Sequence, residues 1–157
     1  MTLAPHILAG ALIGSQVSSS ATAFALGVLG HYFLDLFPHY DYPIYYLKRV
    51  NSKFNEKFLS QMLKVFLDLA AGVVIVFWIL GTPSLNSPIT WAMLGSIIPD
   101  GLTFLYWRMP KQKILKVLAL IHETVHLQKE KPGPNWFGLV FQTSVTIITI
   151  ALLFSLN

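Results

Sequence analysis

The chain has 157 residues, of which 54% are hydrophobic and only 11% charged, about half the charged fraction usual in soluble domains. A soluble fold of this size needs a charged surface that this composition does not supply, so one integral-membrane domain over residues 1–157 is expected. The net charge of +4 sits in two blocks between apolar runs; that suits loops on anionic lipid better than a nucleic-acid groove, and no nucleic-acid partner is expected.

The N-terminal Met1-Thr2-Leu3-Ala4-Pro5-His6 lacks a basic stretch, so no cleavable signal peptide is expected and the first apolar segment should stay in the protein. Residues 3–14 are apolar apart from His6 and short for a full span; extended to Val17 the segment is expected to cross a thin or deformed region or only to dip in. Gly10 and Gly14 form a Gly-x-x-x-Gly pair that would let another helix approach closely. After a polar turn at Ser18-Ser19-Ser20, residues 21–37 read as a second helix carrying His31 and Asp35, ended by Pro38. Residues 38–61 are first aromatic (Tyr40, Tyr42, Tyr45, Tyr46) and then basic (Lys48, Arg49, Lys53, Lys57), as suits a headgroup layer.

The next span is predicted over residues 65–82, with Asp68 in its first turn as a partner for the helix dipole. An uncharged turn leads to a span over 89–107, interrupted by Pro99-Asp100-Gly101, and then to a basic stretch at 108–113. Residues 114–128, with Lys116, His122, Glu123 and His126, read as an amphipathic interfacial helix stopped by Pro132-Gly133-Pro134. Residues 136–156 form a last span, a structural wall. Trp78, Trp91, Trp107 and Trp136 fall near span ends, where tryptophans anchor helices at the interface. The fold class expected is all-α: a polytopic membrane helix bundle with about five transmembrane segments plus one amphipathic helix.

Orientation follows from the basic residues. Five lie between Lys48 and Lys64 and six between Arg108 and Lys131, which places both loops in the cytoplasm of a bacterial or archaeal cell. With alternating spans, all five histidines and all four aspartates then fall at similar depth near the cytoplasmic face. Unrelated structural polar groups have no reason to share one leaflet, and ionisable groups in hydrocarbon face a partner or a cavity.

His31 and Asp35 are four apart and share one helix face; His39 and Asp41 follow on the loop. A His/Asp set in a chain without cysteine suits zinc first, with manganese or iron next. The candidate metal residues are His6, His31, Asp35, His39, Asp100, His122 and His126. Nine histidines and aspartates exceed the needs of one ion, so either two ions are bound or some residues orient the ligands. Such a centre activates water and polarises a phosphoryl or carbonyl oxygen. Its place beside basic loops points to membrane lipids, with a lipid-linked phosphoester or ester as substrate. Asp35 and Glu123 are the catalytic candidates, Glu123 as general base, because His122-Glu123-Thr124-Val125-His126 matches the zinc-binding His-Glu-x-x-His pattern.

That pentapeptide, with Asp100-Gly101, resembles the site-2-type intramembrane metalloproteases, though in reversed chain order. A second resemblance covers most of the chain. Thr2-Leu3-Ala4-Pro5-His6 with Gly10 and Gly14, Gly30-His31 through Asp35 to Pro38-His39 and Asp41, Gly95 with Pro99-Asp100, and the paired histidines together resemble small bacterial inner-membrane proteins described as membrane-bound metal-dependent hydrolases. In the better-known members the Pro-Asp and His-pair elements precede the His-x3-Asp helix, which comes first here. The resemblance implies that His6, His31, Asp35, Asp100, His122 and His126 face the metal. A protease, a non-catalytic metal-binding membrane protein such as a metal-ion carrier, or a structural scaffold that binds no metal is the alternative. The absence of charge from the outer leaflet disfavours a carrier.

Overall fold

Polar residues that can cap a helix stand immediately before the longer apolar runs, and the chain starts its helices there. Ser19 accepts from Thr22 N, Asn55 from Phe58 N and Ser87 from Thr90 N, each satisfying one of the N–H groups that a helix start leaves without a partner. The computed structural model describes residues 1–41, 43–48, 55–126 and 136–156. Among these, the chain forms seven α-helices and no strand: α1 Leu3–Ser15, α2 Ser20–Asp35, α3 Tyr45–Lys48, α4 Glu56–Leu80, α5 Pro88–Arg108, α6 Lys113–Val125 and α7 Trp136–Ser155. Arg49, Lys53, Lys129, Lys131 and the Pro132-Gly133-Pro134 stop lie outside the described residues.

The short first segment turns out to be the hub. α1 touches α2, α4, α5 and α7, and its Ile7, Leu8 and Ala11 join Val76 and Ile79 of α4, Met93 of α5 and Leu153 of α7 in the core. Gly10 and Gly14 are where α5 comes in. A Cβ on Gly10 would sit 2.8 Å from Ala92 O, and one on Gly14 would sit 2.5 Å from Ile89 Cα. A helix of 13 residues surrounded by protein packs as a core element, short of the length of a full span.

Asp68 also has a different role. α4 begins at Glu56, nine residues before the predicted start, so Asp68 lies mid-helix and not in a first turn. Its Oδ2 accepts from Leu3 N and Ala4 N, the latter at 3.0 Å. Asp68 therefore caps the start of α1, whose own N-cap residue Thr2 makes no side-chain cap bond. Thr2 Oγ1 instead accepts from Gln142 Nε2 on α7 at 2.9 Å. The first turn of α1, and His6 with it, is thus tied to both α4 and α7.

α5 runs unbroken through Pro99, where an interruption was expected. Thr103 Oγ1 donates back to Pro99 O at 3.0 Å within the same helix. Pro99 withholds the N–H that Gly95 O would otherwise accept, and Gly95 is also the point where α5 meets the backbone of α2 at Phe24.

Two helices, α4 and α7, are long and apolar enough to cross a membrane, with only 17% of the most apolar window of each buried. The core helix of a soluble protein would be mostly buried. Here Leu63, Phe66, Leu67, Val74 and Trp78 of α4 and Phe137, Val140, Ile147 and Ile148 of α7 point outward. Exposed apolar area on that scale marks a membrane or protein contact. Two of the five expected spans meet this length and composition on their own: α1 and α2 are shorter, and α5, with Asp100 and Arg108, is less apolar.

Candidate metal centre

Four segments deliver the polar residues. α1 contributes His6, and the last turns of α2 contribute His31 and Asp35, with His39 and Asp41 following beyond Pro38. The middle of α5 contributes Asp100, and the end of α6 contributes His122 and His126. α2 stops at Asp35 because Phe37, preceding a proline, is disfavoured in helical conformation. The chain then turns back so that His39 meets the helix it has just left.

All five histidines converge on the Asp35 carboxylate. His31, His122 and His126 bring Nε2 within 3.0, 3.1 and 3.3 Å of Oδ2, while His6 and His39 bring Nε2 within 3.2 and 3.9 Å of Oδ1. Asp100 Oδ1 lies 3.6 Å from His122 Nε2. The amine of Met1 approaches Asp35 at 3.1 Å and Asp41 at 2.9 Å. Asp35, His6 and His31 are buried to within 1% of full occlusion.

Hydrogen-bond partners settle which ring nitrogens carry protons. His31 Nδ1 lies 2.7 Å from Ser96 O, which can only accept, so Nδ1 donates. Thr103 has one hydroxyl proton, spent on Pro99 O, so its oxygen accepts from His122 Nδ1 at 2.8 Å. His39 Nδ1 likewise donates to Phe37 O at 2.7 Å. In the neutral rings each Nε2 is then a lone pair. The Nε2 atoms of His31 and His122 stand 3.2 Å apart, and those of His122 and His126 stand 3.1 Å apart, all against Asp35 Oδ2. Lone pairs and a carboxylate pointed at one another in a buried site repel unless a cation lies among them.

His6 adds to the same need. It is fully buried, stacks on His31 with ring centroids 4.1 Å apart, and neither of its ring nitrogens makes a well-aligned hydrogen bond, Nε2 having only the ion-pair contact to Asp35 Oδ1 at 3.2 Å. A buried imidazole with two unsatisfied nitrogens costs stability unless something binds it. At the rim of the cluster, burial outweighs the pull of Asp35 and, with the Met1 amine and His122 alongside, lowers His126 to about 4. Its ring is therefore neutral at pH 7, the form that coordinates a metal. Asp41 is 45% exposed. Burial works to raise its pKa, but the His39 hydrogen bond and the Met1 amine hold it well below the usual carboxylate range.

Three overlapping sets of residues can each hold a metal ion: His6, His31 and Asp100; His31, Asp35 and His122; Asp35, His39 and His126. Together they include all seven metal candidates of the sequence. Glu123, the base suggested by the pentapeptide, is exposed and belongs to none of the three. Ser96 and Thr103 were not anticipated. They fix the tautomers of His31 and His122, as the groups behind metal-binding histidines do, and only their positions one and four residues after Gly95 and Pro99 hinted at it.

These features define a class: an all-helical protein with two membrane-compatible helices and a buried His/Asp cluster able to hold a metal ion. Compared with protein-family models, curated proteins and solved structures, the chain matches none.

Thr103→Val keeps the shape of the side chain but removes the acceptor for His122 Nδ1. Metal affinity is expected to fall roughly 10–100-fold, the usual effect of losing such a partner, with the helix content by circular dichroism unchanged. Titration with a fluorescent zinc competitor measures it.

Proposed function

We propose that the protein is a polytopic, membrane-embedded, metal-dependent hydrolase acting near the cytoplasmic interface on a lipid or lipid-linked phosphoester or ester. The observation that carries this reading is the inward-facing set of histidine Nε2 atoms around Asp35, a donor set that suits zinc, manganese or iron. A bound divalent ion would supply a Lewis acid and an activated water. In the reaction, the water oxygen bonds to phosphorus or to the acyl carbon while the bond to the alcohol oxygen breaks. The alcohol leaves with one of the water's protons.

The chain's own residues divide the work. Asp35, His6, His31, His39, His122 and His126 hold the ion, with Asp100 beside His122. Ser96 and Thr103 keep the rings turned inward. Asp41, exposed at the edge of the cluster and 3.5 Å from His39, is the carboxylate placed to pass a proton to solvent. Support for the membrane setting comes from the apolar outer faces of α4 and α7. α6 presents Ile114, Val117, Leu120 and Ile121 outward, as an interfacial helix would. In this setting α2 and α5 complete the membrane bundle, and α1 is enclosed by it. The resemblance of the motif set to membrane-bound metal-dependent hydrolases points the same way.

The protease alternative needs the glutamate of its pentapeptide beside the metal, and Glu123 is turned to the outside. Glu123→Gln therefore separates the two. A hydrolase built on Asp35 should keep its activity within about twofold, whereas a protease of that type would lose more than about 100-fold. The assay is metal-dependent release of inorganic phosphate or fatty acid from a lipid panel by detergent-purified protein. If no lipid yields a metal-dependent product, the hydrolase reading fails.

A further inference from the structure

Resting on the metal-centre reading above, we propose that the centre is dinuclear, with the Asp35 carboxylate bridging two divalent ions, and that its substrate is an anionic phosphoester. The two oxygens of Asp35 are approached by different histidines: Oδ1 by His6 and His39, Oδ2 by His31, His122 and His126. The three sets of candidate ligands together span seven residues. The seven residues offer more donors than the four to six that one such ion takes.

Three of the five histidines cannot serve as the bridge in place of Asp35: His31, His39 and His122 have Nδ1 occupied by Ser96 O, Phe37 O and Thr103 Oγ1 respectively, so each offers one nitrogen only. Two dications held close together repel, and an anion between them is required. Asp35 is the carboxylate that faces both groups of rings, and it is fully buried where the repulsion would otherwise be strongest.

Charge then selects the substrate. Two divalent ions bring four positive charges, and Asp35, Asp41 and Asp100 return three negative ones. The surplus favours an anionic phosphoester over a neutral carboxylic ester, and paired ions suit in-line displacement at phosphorus because they stabilise both the attacking and the leaving oxygen.

The test is metal counting on detergent-purified protein loaded with zinc, and electron paramagnetic resonance of the same protein loaded with manganese. Two zinc ions per chain and a spin-coupled manganese spectrum are expected. His6→Ala and His39→Ala, with helix content checked by circular dichroism, should each bind one ion and give an uncoupled six-line signal. One ion per wild-type chain, with no coupling, overturns the dinuclear centre and leaves the metal-dependent reading standing. No ion at all overturns both. For the substrate, phosphate release from phosphatidic acid in mixed micelles is expected, without fatty-acid release from diacylglycerol. Fatty-acid release alone overturns the phosphoester assignment.

Discussion

Asp35→Ala is expected to strip the protein of metal and abolish hydrolysis. Five imidazoles and the Met1 amine are arranged around this one carboxylate, and no neighbouring acid can replace it. Asp100 reaches His122 Nε2 only at 3.6 Å and is about a third exposed, and Asp41 is at the rim. The variant should lose at least about 100-fold in metal affinity, more than the loss of an orienting group costs. Metal-free protein should also be destabilised, by about 1–3 kcal/mol, because the buried Met1 amine loses one of its two carboxylate partners. Asp35→Asn separates the two effects: it keeps the shape and part of the hydrogen bonding, so folding should recover more than metal binding does. Metal content per chain and thermal unfolding in detergent are the measurements. Wild-type metal content in Asp35→Ala would show that the ion, if any, binds elsewhere.

Gly95→Ala should be as damaging to the fold as Asp35→Ala is to the site. In an ordinary helix this change stabilises by up to about 1 kcal/mol. Here the added Cβ would lie 2.3 Å from Phe24 O on α2, a backbone atom that cannot rotate away. Gly27 makes the reciprocal approach, its Cβ position lying 2.3 Å from Ala92 O on α5. Alanine at either position must push α2 and α5 apart, at a cost of about 1–3 kcal/mol or more. The separation falls next to Ser96, whose carbonyl holds His31, so metal affinity should drop with stability. Gly101→Ala is the contrast: nothing lies within 4 Å of its Cβ position, and it should be neutral or slightly stabilising. Equal melting temperatures for the two variants would mean that α2 and α5 are not packed this closely.

Several misread elements share a physical cause. Helix α4 starts at Glu56, a start marked by Asn55 and the acidic first-turn residue, nine residues ahead of the apolar run that opens at Val65. The amphipathic first two turns of α4 bury only Phe58 and Gln61, too few apolar contacts to stand out as hydropathy. The eventual partner of Asp68 was out of reach for a related reason. A capping residue is normally sought next to the helix it caps, and Asp68 caps α1 from 64 residues away. Glu123 was chosen because a motif match carries no information about which side of α6 is buried. His122 faces inward, and its immediate neighbour on the helix is rotated about 100° away.

Residue types and spacing alone determined the helical class, the two most apolar helices, and the set of histidines and aspartates worth suspecting. Those properties are local: periodicity, hydropathy and the cost of an ion in an apolar run are felt within one segment. What only the tertiary structure decided is which nitrogens point where. The donation of His31 to Ser96, the donation of His122 to Thr103, and the division of the five rings between the two oxygens of Asp35 all depend on α2 and α5 meeting at glycine contacts and on α6 packing against α5. Side-chain direction in a buried cluster follows from packing between segments, and no single segment contains it.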